Sequence, residues 1–405
     1  MNKKQIFTRS VITVAIALAS SQTMAAGFQL NAQSATGLGR AFSGDGVIAD
    51  NASTMAKNAA SMALFDAPAL SLGVIAIDTD VNVKNTLYNN KPINDASIGG
   101  TSYAPNIYYI QPINDKFSVG ASLYSNFGTK TEFKEGYKAD LFGGLTDVKS
   151  VNLGLSAAYR INQHFSVGGG LDIIHGSGKL QRGRNNPLLG GKNTVDIDAD
   201  GIALGYNLGA IYEYNQNNRF GLSYRYSPTI KAKGDIHAPG NYSNEKLKIP
   251  LPSILEFSGF NKLNDKFAVH YSIQWIEWSA FDQLSTTGGN FTKDYQWQNS
   301  WHYSVGGTYY LNNDWTLRAG YMHDTSAQGN ITSISVPDSD RNWLSGGFSY
   351  HLDSKSTIDF GLTYLIGKDV DVSESQYLAP GIKPSVSATT RANAWLYGLQ
   401  YSRSF

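Results

Sequence analysis

Three short stretches of the chain carry residue types that could do chemistry. His175-Gly176-Ser177 sets a base and a hydroxyl two residues apart, which on a strand places both on one face. Acyl hydrolysis also needs a group to orient the imidazole and an oxyanion site, and the sequence specifies neither. Asp196-x-Asp198-x-Asp200-Gly201 copies the first half of a calcium loop, but Asn207 occupies position twelve, where a bidentate Glu belongs. A solvated acid cluster with weak divalent affinity is the plainer reading. Gly44-x-Gly46-x-x-Ala49 matches the dinucleotide fingerprint, yet no strand precedes it and no βαβ unit follows. With no cysteine, thiolate ligands and thiol nucleophiles are excluded. No catalytic residue, metal or cofactor is expected.

The elements that would position such residues are strands. An Asn/Asp-rich turn followed by strict alternation appears six times: "PINDKFSVGASLY" from Pro112, "RINQHFSVGGGLDI" from Arg160, "YNQNNRFGLSYRY" from Tyr214, "LNDKFAVHYSIQW" from Leu263, "LNNDWTLRAGYMH" from Leu311 and "HLDSKSTIDFGLTY" from His351. Each is a hairpin signal, and the spacing of about 40–54 residues fits two strands and one longer loop. After the fourth turn Phe267, Val269, Tyr271, Ile273 and Trp275 share one face, opposed by Ala268, His270, Ser272 and Gln274. One apolar and one polar face over about ten residues is the pattern of a transmembrane β-barrel, although a soluble sandwich can produce it too. Aromatics beside the turns (Phe117, Phe165, Phe267, Trp315) suit an interfacial girdle. Six short turns separate seven hairpins, which predicts an all-β, 14-stranded antiparallel transmembrane barrel. Its longer loops, including 180–199, 233–247 and 371–390, are expected to face outward.

Composition agrees. There are 24 Tyr, 18 Phe and 41 Gly, and charged residues make up only 16%, below the roughly 25% usual for soluble domains. Lys3, Lys4 and Arg9 ahead of the apolar stretch Val11 to Ala19, with Thr23-Met24-Ala25 following, read as a signal peptide over 1–25. Without those three cations the formal net charge of +1 becomes −2, so no basic field points to nucleic acid.

A 14-stranded barrel should leave an aqueous lumen. Residues 26–66, rich in glycine and placed before the first clear strand, are expected to fold inward as a nearly helix-free plug. Arg40, Asp45 and Asp50 would pair with polar lumen residues. The barrel is then 67–405.

Plug and strands together resemble the FadL family, the long-chain fatty acid transporters of Gram-negative outer membranes. The resemblance rests on "AGFQL" at 26–30, "SATGLGRAFSGDGVIADNAS" at 34–53, "LFDAPALSLG" at 64–73, "PNIYYIQPINDKFSVGAS" at 105–122, "NFGTKTEF" at 126–133, "GGLTDVKSVNLGLSAAYRIN" at 143–162 and "VPDSDRNWLSGG" at 336–347. It implies passive uptake of hydrophobic molecules, long-chain fatty acids first, through an internal site, plug movement and lateral release. It also implies carboxylate-binding roles for Arg182 in "KLQRGR" and Lys293 in "NFTKDY". A kink in the third strand would fall at Asn126, Phe127 and Gly128. The family's Asn-Pro-Ala in the plug is Asn58-Ala59-Ala60 here, which restores a backbone N–H. Asp338, Asp340 and Arg341, with Arg40, would anchor loop and lumen charges.

Two outer loops that carry the family's landing groove are short here, and segment 181–199 offers only Leu188, Leu189, Val195 and Ile197 as apolar residues. A smaller landing site and a different preferred substrate are therefore open. Expected partners are fatty acids or other hydrophobes, with outer-membrane lipid and lipopolysaccharide as surroundings and the chain as a monomer. The alternatives are a channel for aromatic hydrocarbons, a surface phospholipase or esterase built on Ser177, and an adhesive surface barrel.

Overall fold

The computed structural model describes residues 27–184, 191–238, 244–329, 331–377 and 381–405. The signal peptide and Leu188 and Leu189 lie outside them. Alternation dictates what the rest does: a strand with one apolar face needs neighbours on both edges and an apolar surrounding, and closure into a barrel supplies the neighbours.

Fourteen antiparallel strands form among the described residues. They are β1 (Ala69–Tyr88), β2 (Thr101–Pro112), β3 (Phe117–Tyr124, resuming at Gly128–Glu132), β4 (Leu145–Arg160), β5 (Phe165–Arg182) and β6 (Val195–Asn215). They continue with β7 (Asn218–Tyr226 and Ile230–His237), β8 (Leu247–Ile249 and Ile254–Lys262), β9 (Phe267–Ile276) and β10 (Ser300–Tyr310). β11 (Trp315–Asp324), β12 (Arg341–His351), β13 (Ser356–Gly367 and Val370–Ser375) and β14 (Ser385–Ser404) complete the wall. Each pairs with the next, and β14 pairs back onto β1 from Ala69↔Ser404 to Tyr88↔Val386.

The six turns form where the repeats lie, for a local reason. Asn114 Oδ1 accepts from the N–H of Lys116 and of Phe117. Asn162, Asn264 and Asn312 do the same for the residues two and three ahead. An Asn side chain that satisfies two backbone donors closes the turn itself. Several strands run well past ten residues, 21 in β6. Pairing continues above the lipid-facing stretch after the outward residues turn polar, so the outer loops are shorter than the alternation predicts.

The two faces settle the barrel against the sandwich. Leu155, Leu171, Ile202, Leu204, Leu222 and Leu399 are all more than half exposed. The polar residues between them, among them Asn152, Asp172, Ser272 and Thr363, are buried. A soluble sandwich would bury the apolar set; a barrel wall in lipid exposes it.

What buries the polar face is the N-terminal segment. Contrary to the expectation of a nearly helix-free segment, it holds one short helix, α1 (Ala35–Gly39), capped by Ser34, and two 3₁₀ turns capped by Asn51 and Asn58. Arg40 bonds Asp45 and Asp50 within the segment, and Arg318 of β11 reaches the same Asp50 at 3.2 Å. Arg225 donates to Ala56 O at 2.7 Å and Arg160 to Ala63 O at 2.7 Å. Ser43 lies 2.6 Å from His270.

Glycines let the segment approach the wall at backbone distance. Gly347, Gly361 and Gly398 are register partners across β12, β13 and β14, and α1 lies on them. A Cβ on Gly361 would overlap Ala35 O, and one on Gly320 would overlap the Arg40 carbonyl. On the opposite wall, Gly168 and Gly209 are paired between β5 and β6 and receive Ala59-Ala60 and Asn58.

Candidate binding cleft

The sequence places aromatics not only on strands but in the stretch between β9 and β10, "EWSAFD" and "DYQWQ". They fold back over the lumen. Phe28 of the N-terminal segment stands among them, its ring centroid 4.7 Å from Trp278, 5.1 Å from Phe281 and 5.6 Å from Trp297. Gly27 adopts φ +62°, and a Cβ there would come within 2.5–2.7 Å of the Trp297 and Trp278 rings. Beside this cluster lies a narrow cleft of about 40 Å³, walled by Phe28, Phe281, Tyr295, Trp297, Ile249 and Leu284, with Thr146, Thr129 and Lys179 as its polar contacts. Ile197 faces the same buried cluster.

Arg182 ends β5 next to this cleft and is 4% exposed. Its guanidinium donates to Leu145 O (2.6 Å), Gln181 O (2.8 Å) and Thr146 Oγ1 (2.7 Å), and Nε has no partner. Among the described residues no carboxylate lies within ion-pair distance of it. Lys293 sits on a short loop strand, directly opposite Leu284. Register partners share a face, so its side chain leaves on the cleft side. Its Nζ is 5.3 Å from the centroid of the Tyr295 ring, and Tyr295 lies in electrostatic range of Arg182, as do Glu374 and Asp140 from beyond ion-pair distance. Neither cation is itself among the residues that wall the cleft; Arg182 reaches one of them, Thr146, and Lys293 stands beside another, Tyr295.

The third strand breaks over residues 125–127, just ahead of Gly128. Ser125, Asn126 and Phe127 are buried, and Phe28 to Leu30 join them through one isolated β-bridge. Leu30 N donates to Asn126 O (2.6 Å), Gly128 N to Phe28 O (2.8 Å), and Gln29 bridges Phe127. Beyond the break Gly128–Glu132 pairs with β4, and on its other side Glu132 N donates to Ile98 O. The N-terminal segment thus covers a break in the wall and lines the cleft with the same residue, Phe28.

Asn58 caps its turn through Ala60 N (3.0 Å) and donates to Ala210 O of β6 at 3.2 Å, while Ala59 and Ala60 press on Gly168. Asp338 accepts from Ser326 Oγ, Ala327 N and Gln328 N and pairs with the fully buried Arg341. That fixes the loop whose Val336 lines the cleft. Asp340 takes Ser326 N and Lys368 Nζ at the rim. Arg40 works inside the N-terminal segment, as described.

The other motifs resolve differently. Gly44 takes φ +70° and accepts from Val47 N and Ile48 N; its Cβ position faces His270 on the wall, so closeness to β9 accounts for the glycine. His175 does find a carboxylate, Asp200 at 3.1 Å, but among the described residues no hydrogen bond joins it to Ser177. Asp198 pairs with Lys179 at 3.3 Å. No three metal-ligating side chains converge among the described residues. The aromatics that build the cleft went unread, and their signal was their position: four large rings in a loop rather than on a strand face.

Comparison with known proteins gives the same answer along the whole chain. Residues 16–405 match the family model described as outer membrane protein transport protein (OMPP1/FadL/TodX). A long-chain fatty acid transport protein of Escherichia coli O6:H1 is 36% identical over 100% of both chains. Outer membrane protein P1 of Haemophilus influenzae is 32% identical over 98% of this chain and 99% of that one. Among solved structures, a Pseudomonas aeruginosa FadL homologue superposes with TM-score 0.83 at 21% identity, over 94% of this chain and 100% of the other. The Ralstonia pickettii toluene transporter TbuX gives 0.66 at 17% identity, over 93% and 99%; at such identities these two speak to the fold alone. The chain is an outer-membrane β-barrel belonging to the OMPP1/FadL/TodX family of outer membrane transport proteins.

Proposed function

We propose that this chain takes up long-chain fatty acids, with Arg182 and Lys293 reading the carboxylate and the aromatic cleft holding the acyl chain. The observation that carries this is Arg182: a buried guanidinium bonded to Thr146 of the apolar cleft, with no carboxylate within ion-pair distance among the described residues. A buried charge is costly unless paired, and a ligand carboxylate would complete it with charge-assisted hydrogen bonds. Each methylene that leaves water adds about 0.8 kcal/mol. A neutral hydrophobe needs neither cation. The relatives that are 34–36% identical over 100% of this chain carry the name long-chain fatty acid transport protein, which favours the same substrate class.

Residues 26–66 act as the plug in this reading. Withdrawal of Phe28 to Leu30 from Asn126 and Phe127 would open the wall beside β3 for release into the bilayer. The second reading, a channel for aromatic hydrocarbons, draws on the rings around Phe28.

The test is uptake by outer-membrane-intact cells lacking their own transporter and expressing this chain, with oleate and toluene in parallel. A charge-assisted hydrogen bond contributes about 1.5–3 kcal/mol, so Arg182→Ala/Lys293→Ala should cut oleate uptake at limiting concentration by roughly tenfold or more. Toluene entry should not change. Toluene uptake without any oleate uptake would retire both cations and leave the aromatic channel.

A further inference from the structure

Above the lipid-facing belt, the second piece of β7 and the first piece of β8 form a ribbon with Lys231 directly opposite Lys248 and Ala232 opposite Leu247, continued on the far edge of β8 by Gln283–Thr286. Ile230, Ala232, Leu247 and Ile249 are buried. Alternation therefore sends Lys231 and Lys233 on one strand, and Lys246 and Lys248 on the other, to the outer surface. Like charges directly opposite on a ladder are destabilising. None of the four makes an ion pair among the described residues, and although Lys233 stands directly opposite Asp200 on β6, no acid stands opposite Lys231 or Lys248 within the ribbon. The nearby acids are turned elsewhere or unengaged. Asp200 holds His175, Asp198 holds Lys179, and Glu245 accepts from Gly288 N and Asn290; Asp235, two residues beyond Lys233, pairs with no lysine.

The height of this patch is fixed by register. Lys233 is opposite Asp200 on β6, and Ile202 and Leu204, the next outward residues down that strand, are 62% and 66% exposed. Carried two residues further, the same register sets Lys231 level with Ile202, at the upper edge of the apolar belt. That edge is where lipid hydrocarbon gives way to headgroup. We infer that the four lysines are a docking site for the phosphorylated glycolipid of the outer leaflet, with Lys231 and Lys248 clamping one phosphate between them. The phosphate offsets the Lys231–Lys248 repulsion, and the acyl chains lie along Ile202 and Leu204.

The experiment uses the whole barrel in detergent, titrated with bis-phosphorylated lipid A and read by native mass spectrometry. Dephosphorylated lipid A with the same acyl chains, phosphatidylglycerol and inorganic phosphate serve as the comparison ligands. A lysine at a charged lipid surface contributes roughly a fivefold factor in binding, so Lys231→Gln/Lys248→Gln should bind lipid A about 25-fold more weakly. The matched pair Lys116→Gln/Lys355→Gln, on the short turns at the other end, should bind as wild type. All three proteins should keep the heat-dependent gel shift of a folded barrel. Equal affinity for dephosphorylated lipid A, an unchanged double variant, or displacement by millimolar inorganic phosphate would each overturn the assignment.

Discussion

Gly320→Val is expected to turn this barrel into an open pore. A Cβ at Gly320 falls on the Arg40 carbonyl, a backbone atom that no rotamer change can move aside. Ordinary overpacking costs about 1–3 kcal/mol, and valine adds two methyl groups to a site with no room for the first carbon. The least costly response is for the N-terminal segment to leave its place, which breaks the Asp50 link to Arg318 and the Ser43 contact with His270. Fourteen strands without that segment enclose water. Planar-bilayer recordings should then show steady ion conductance in the variant and almost none in the wild type. Cells should also admit hydrophilic antibiotics that the intact outer membrane excludes. Gly307→Ala is the control, since its Cβ position meets nothing nearer than Ala268 O at 3.6 Å. An equally silent Gly320→Val channel would mean that the segment does not seal the lumen.

Arg225→Ala should be the most destabilising single change in the wall. Asp172 is 1% exposed and is held by Arg225, Asn152 and Asn207. Removing the arginine leaves a buried carboxylate with two neutral donors, and breaking a buried pair in this way costs about 3–5 kcal/mol. The bond to Ala56 O goes with it. Unfolding in urea, followed by the mobility difference between folded and denatured barrel, should show a midpoint well below wild type. Arg225→Met/Asp172→Leu, which removes both charges, should recover most of the loss. A double variant no better than Arg225→Ala would show that the anchor on Ala56, and not the stranded charge, is what matters.

The barrel was legible because its causes are local. Asn114, Asn162, Asn264 and Asn312 close their turns with bonds two and three residues ahead, and alternation is read within a single strand. The cleft was not legible by the same means. Phe28, Phe281, Tyr295 and Trp297 come together across most of the chain's length, and no spacing rule joins them. Arg182 looks like any loop cation until Thr146, 36 positions away, is seen beside it. Resemblance to a family supplied both cations; periodicity could not. The helix α1 was missed because five residues are too few to show a period, and only the Ser34 cap marks it.

The glycine rows also set an order of assembly. The N-terminal segment precedes every wall strand in sequence, but four of the glycines it rests on, Gly320, Gly347, Gly361 and Gly398, belong to the last four strands. The final ladder, β14 onto β1, joins residues roughly 300 positions or more apart, the kind of contact whose loop-closure entropy makes folding slow. Until it forms, the N-terminal segment has no complete bed and must wait beside a half-built wall. The last strands therefore complete the bed of the segment as they close the barrel. A chain that stops before Ser385 would lose both together, however many of its earlier strands had already paired.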